Sequence, residues 1–156
     1  RIPQKRLEYI MLTQDILVCL EQKKILMEQI LNITKQMEVQ SLEETVDLDL
    51  LLEQRGQLMQ RVDKCNLLIR SKTELQDSAE QERLRDLMSL QLEEETCSPD
   101  EKRALNLVSE INALFRQAAA LNRSTMDLLL VQRENSKKQL AELKQQGEQN
   151  NLFTYQ

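Results

Sequence analysis

Histidine is absent from this chain, glycine and proline number 2 each, and aromatic residues make up only 3%. Without histidine the commonest general base is missing, and so are the Glu-x-x-His pairs that build di-iron sites in helical bundles. Two separated glycines, Gly56 and Gly147, cannot form a phosphate-cradling loop. No run of Val, Ile, Thr and aromatic residues alternates with period two, so strands are not expected. The cysteines, Cys19, Cys65 and Cys97, are odd in number, widely spaced and free of a CxxC pair. That excludes a disulfide scaffold or zinc site and favours reduced thiols. Cys19 and Cys65 fall on apolar stripes, where a free thiol behaves as a small hydrophobe.

No stretch reaches the roughly 18 uncharged apolar residues of a membrane span. The opening Arg1-Ile2-Pro3 has neither an initiator Met nor the apolar centre of a signal peptide. The natural chain is therefore expected to begin upstream, and the protein to be cytosolic. Positive charge is also in deficit: 21 Lys and Arg against 26 Asp and Glu leave a net charge of -5. Nucleic-acid binding relies on basic patches that displace counterions from phosphate, so it is not expected here. Glu53 and the run Glu93-Glu94-Glu95 read as surface charge. Catalytic residues, metal ligands and cofactors are all expected to be absent.

What remains is a Leu-, Gln-, Glu-, Lys- and Met-rich chain of 156 residues, the composition of long helices with few connections. A first helix is predicted over about 3–38, opening at Pro3. Its stripe runs Leu12, Ile16, Cys19, Lys23, Leu26, Ile30, Ile33, Met37 at spacings of three and four. The lysine stem lies along apolar surface while its charge reaches water. Leu17, Leu20, Met27 and Leu31 widen this face enough to meet two neighbours. Ser41-Leu42-Glu43-Glu44 has capping-box spacing and marks either a restart or a bend after the first helix, with the second helix predicted over about 42–70. That helix carries Leu48, Leu51, Leu52, Arg55, Leu58, Met59, Val62, Cys65, Leu68 and Ile69. Gly56 in its middle is either an exposed glycine costing about 1 kcal/mol or a point of close backbone approach.

Residues 71–82 read as a polar linker or a frayed helix end, and Leu84, Leu87, Met88 and Leu92 as a short helix over about 78–94. Ser98-Pro99-Asp100-Glu101 combines an N-cap Ser, a Pro at the first helical position and first-turn acids. It predicts a long last helix over 99–146, about 72 Å in length. Its stripe runs Ala104, Leu107, Val108, Ile111, Leu114, Phe115, Ala118, Leu121, Thr125, Leu128, Leu129, and Gly147 is its expected C-terminal stop. Between Gln132 and Gln146 only Leu140, Ala141 and Leu143 are apolar, too few for this end to be buried by its own chain. The last residues, 148–156, including Leu152, Phe153 and Tyr155, are expected to form a flexible tail. The predicted fold is all-α: one elongated antiparallel bundle of three to four helices over 1–147.

Two segments of this pattern resemble the FlgN family of flagellar export chaperones. In the second helix, Leu51-Leu52-Glu53-Gln54-Arg55-Gly56-Gln57-Leu58-Met59-Gln60-Arg61-Val62-Asp63 is similar to that family's segment of leucines, a basic residue, a Leu pair and an acid. Arg55, Leu58, Met59 and Asp63 match it. In the last helix, Ile111-Asn112-Ala113-Leu114, Leu121-Asn122 and Leu128-Leu129 are similar to a second family segment. Thr125 stands there at the place of an Asn. The resemblance implies a cytosolic chaperone that covers helical C-terminal segments of hook-associated proteins and delivers them to the export apparatus. It places client binding in the C-terminal helical region, roughly Asn122 to Gln146, and Tyr155 as the candidate for docking to an export-gate component; with the thin apolar stripe at that end, the candidate client contacts are Leu121, Asn122, Thr125, Leu128, Leu129, Leu140 and Leu143.

The residues alone support other readings as well. A structural coiled-coil scaffold or adaptor would use the 12–37 stripe to form a stable homodimer, and a regulatory module could sequester a signalling factor in the same way.

Overall fold

The computed structural model describes residues 2–43 and 46–154, and for 149–154 the backbone only. Among the described residues there are four α-helices, α1 Gln4–Ser41, α2 Asp49–Glu74, α3 Ser78–Met88 and α4 Pro99–Thr154, with a 3-10 turn at Glu94–Thr96 before α4. No strand occurs among the described residues. The all-α bundle with a long C-terminal helix is as the composition predicts.

The central helix is α1, which packs along both α2 and α4, while α2 and α4 barely touch each other. Its breadth of apolar face explains this. Leu12, Ile16, Leu17, Leu20, Leu26, Met27, Ile30, Leu31 and Met37 are all buried, more than one helical seam can hold. Direction follows from the paired residues. Thr34 meets Arg55 and Asp15 meets Lys72, so α1 and α2 are antiparallel. Tyr9 meets Glu101, Lys24 meets Glu110 and Ser41 meets Gln132, so α1 and α4 run parallel. The short α3 turns the chain round between α2 and α4.

One core unites Leu12, Ile16, Leu17, Leu20, Met27 and Ile30 of α1 with Ile69, Leu84, Leu87, Ala104, Leu105, Val108 and Ile111. A smaller one, Met37 with Leu48 and Leu51, closes the far end against Ile33, Val46, Met126 and Leu129.

The start of α4 forms as its sequence predicts. Ser98 Oγ accepts from the Glu101 amide at 3.2 Å, and Glu101 Oε1 accepts from the Ser98 amide at 3.0 Å, a reciprocal capping box. The same spacing at Ser41 does not cap a helix. Ser41 is the buried last residue of α1, and its hydroxyl donates back to the Glu38 carbonyl. The second helix starts instead at Asp49, after Asp47 accepts from the Asp49 amide at 3.1 Å.

Other boundaries differ from the expectation for local reasons. Of 71–82, read as linker or frayed helix end, residues 71–74 are the end of α2 and only 75–77 connect, because Asp77 caps α3 by accepting from the Glu80 amide. The segment expected to be helical to residue 94 stops at Met88, where Leu90 adopts φ 61 and Gln91 donates to the Asp86 carbonyl at 2.7 Å. That 6→1 bond is a Schellman stop. Gly147, the expected terminator, stays helical and has no positive φ. Flanked by Gln, Glu and Lys, its propensity cost of about 1 kcal/mol is not enough to end the helix. The expected tail is thus helical as far as Thr154, and Tyr155 lies outside the described residues.

Candidate functional site

At 56 residues, α4 is about 84 Å long against about 57 Å for the 38 residues of α1. Since the two helices start nearly level, α4 must project. Among the described residues the last hydrogen bond from α4 to the bundle is that of the Gln132 side-chain amide, which donates to the Ser41 carbonyl at the C-terminus of α1. From Arg133 to Glu148 every residue is exposed.

Eleven residues return to the same side of a helix within about 20°. Leu140 therefore shares a face with Leu129, and Leu143 with Gln132, so the seam that packs on the bundle continues past its end. Leu140 is 70% and Leu143 63% exposed, about 12 and 16 Å beyond Gln132. At the base of the projection lies a shelf of about 550 Å³, lined by Leu42, Val46, Leu129 and Gln132 among others.

The other residues that the family resemblance assigns to a client sit inside the bundle. Thr125 is buried, with its hydroxyl donating to the Leu121 carbonyl at 2.9 Å. Leu129 packs against the smaller core, for the same reason that Met37 and Leu51 are buried there. Leu121 and Leu128 are half-buried. Asn122 accepts from Arg55 Nη1 at 2.9 Å, joining α4 to α2. The exposed client candidates reduce to Leu140 and Leu143.

Sequence reasoning missed a groove between α2 and α4, of about 460 Å³, with α1 as its floor. Lys23, Met27, Ile30 and Thr34 line the floor; Arg55, Met59, Val62 and Asn66 form one wall; Ile111, Phe115, Ala118 and Asn122 form the other. Each set spans eleven residues at spacings of three and four. Phe115 and Met59, predicted as seam residues, stand 62% and 53% exposed on the rims. They find no partner because α1 keeps their helices apart.

A buried polar node locks the opposite end. Arg83 grips Glu101 through Nε at 2.6 Å and Nη2 at 3.0 Å, and the Tyr9 hydroxyl donates to Glu101 at 2.9 Å. Burial pushes the Glu101 carboxyl up, but bonds from Arg83, the Ser98 amide and Tyr9 outweigh it and hold the group below its ordinary value. Burial and the Glu101 carboxylate push the Tyr9 phenol up to about 12. With three elements tied together and all partners satisfied, the node reads as structural.

Among the described residues no three His, Cys, Asp or Glu side chains are placed to hold a metal ion. None of the described helices is long and apolar enough to cross a membrane. No family model, no curated protein and no solved structure matches this chain.

Proposed function

We propose that this protein binds a helical segment of a partner protein on the projecting end of α4 and, as the FlgN resemblance implies, acts as a cytosolic chaperone for hook-associated proteins of the flagellar export system. The observation that carries the binding half is the seam of α4 running on past Gln132, with Leu140 and Leu143 exposed on its inner face. An unpacked helix is marginal in water whatever its propensity. A second helix laid along this face, reading anchors at spacings of three and four, gives it a packing partner.

Magnitudes shape the site. Two leucines contribute about 1.5–3 kcal/mol each on full burial, too little for tight association once the cost of ordering is subtracted. A client helix must therefore also cover the shelf, where Leu42 is 67% exposed. The flagellar half of the proposal rests on the resemblance alone.

The test is calorimetry and light scattering of the full chain with C-terminal helical segments of hook-associated proteins. One-to-one binding, lost in the double variant Leu140→Ser/Leu143→Ser, is expected. A dimer that persists on dilution, with no client binding, would instead favour a structural coiled-coil protein. Tyr155→Ala is expected to leave client affinity intact and to impair delivery to the export gate.

A further inference from the structure

We propose that the groove between α2 and α4 is a second helix-binding site, selective for an amphipathic helix of a partner protein that carries carboxylates about eleven residues apart, one for Lys23 and one for Arg55. The shape argues for a helix. Three walls of eleven residues each make a trough about 16 Å long, three helical turns, lined along its floor by buried Met27 and Ile30. A fourth helix seated there would cover Met59 and Phe115, the apolar side chains left open on opposite rims. Phe115 is a costly residue to leave in water in a chain that contains just 2 phenylalanines.

Charge selects the occupant. Lys23 and Arg55 are both half-buried, and neither forms an ion pair among the described residues. Arg55 reaches only neutral oxygens, Asn122 Oδ1 at 2.9 Å and Thr34 Oγ1 at 3.4 Å. Burial lowers the pKa of both groups, and no carboxylate offsets it in either case. A buried or half-buried cation without a counterion is destabilising until an anion meets it. Arg55 packs beside Thr34, eleven residues from Lys23 along α1, so the two charges stand about 16 Å apart on the trough axis. Asp63, the one carboxylate of the lining, is exposed on the α2 rim, nearer the level of Lys23 than that of Arg55.

The projecting end of α4 from a second copy does not fit. From Arg133 to Glu148 its acids are Glu134, Glu142 and Glu148, spaced by eight and six, so no pair of them reaches both Lys23 and Arg55. The groove shares with the α4 projection only the premise of a helical partner, and it does not depend on the flagellar assignment.

The test uses the full chain and a labelled synthetic helical peptide of about 20 residues. The peptide carries leucines at spacings of three and four, with Glu flanking the stripe eleven residues apart. Counterparts carry Gln or Lys at those two positions, or Glu moved to a spacing of seven. By fluorescence anisotropy the Glu peptide is expected to bind at least tenfold tighter than the Gln peptide, and the Lys peptide weakest. The advantage should shrink in 0.5 M salt (about a 4 Å screening length) and disappear in Lys23→Gln/Arg55→Gln. Phe115→Glu should abolish binding while circular dichroism shows an unchanged melt.

Equal affinity for the Glu and Gln peptides, or for the two spacings, would overturn the proposal without recourse to any variant. Loss of peptide binding in Leu140→Ser/Leu143→Ser would place the peptide on the α4 projection and also overturn it. So would a dimer that Phe115→Glu converts to monomer, since the groove would then belong to a second copy. Failure of hook-associated segments to bind while the Glu peptide still seats in the groove would sink the flagellar reading alone.

Discussion

Replacing Gly56 by alanine should stabilise this protein, although the residue sits inside a segment that the family resemblance picks out. Gly56 lies half-exposed in the interior of α2, and a Cβ built on it meets nothing within 4 Å. With no steric contribution, the helix-propensity difference remains, about 0.8–1 kcal/mol in favour of alanine. In a domain of this size that is a rise of about 2–4 °C in Tm. Thermal circular dichroism and urea titration, with an unchanged m-value, would measure it. Gly147 supplies the control, because a Cβ there is equally free but the residue stands on the projecting end of α4. Gly147→Ala should raise helicity and leave the cooperative midpoint where it is, since a segment without tertiary contacts opens locally. A loss of stability in Gly56→Ala would refute the reasoning and show that another backbone comes close to α2. An equal rise of the midpoint in Gly147→Ala would show that the projection belongs to the cooperative unit.

Glu101→Ala should cost about 2 kcal/mol in urea unfolding, because it removes the acceptor of Arg83, Tyr9 and the Ser98 amide together. The native carboxyl titrates below its ordinary value of 4.5, so its contribution is complete above that pH and is lost as pH falls through the lowered value. Stability measured from pH 6 down to pH 2 should therefore fall less steeply in Glu101→Gln than in the parent. At the other extreme, Tyr9 keeps its proton up to about pH 12, whereas the unfolded chain loses it near 10. Its contribution is present below pH 10 and lost as pH rises through 12, and Tyr9→Phe should remove that loss in base-unfolding curves. Leu90 occupies a left-handed conformation at φ 61 and is 41% exposed. Leu90→Gly should raise stability by about 0.5–1 kcal/mol, a net of relieved strain and lost partial burial, read from the urea midpoint.

Particular residues show how far a sequence reading reaches. Ser98-Pro99-Asp100-Glu101 predicted the start of α4 because a capping box is closed by atoms three residues apart. The identical spacing at Ser41 left a restart and a bend both open; Ser41 donates back to Glu38 at the end of α1, and no local signal distinguishes the two cases. Asp77 was passed over as linker, though its side chain does for α3 what Ser98 does for α4. The breadth of the α1 face correctly implied two neighbours. Its number of neighbours said nothing of their spacing, and so nothing of the groove.

The sequence by itself determined that this chain forms long helices, where α4 begins, and that its far end is poor in apolar footholds. These properties are local, set by propensity, capping and a 3.6-residue period. Tertiary structure decided which apolar faces are covered. Ile111 and Phe115 lie one turn apart on the same stripe, yet Ile111 is 4% exposed and Phe115 62%. Thr125, polar in sequence, is buried, while Leu140 and Leu143 are bare. Arg55 and Asn122 meet across 67 residues of chain. Periodicity records that a face is apolar, but burial depends on whether another helix arrives there. In this bundle α1 stands between α2 and α4, and that placement leaves the groove open.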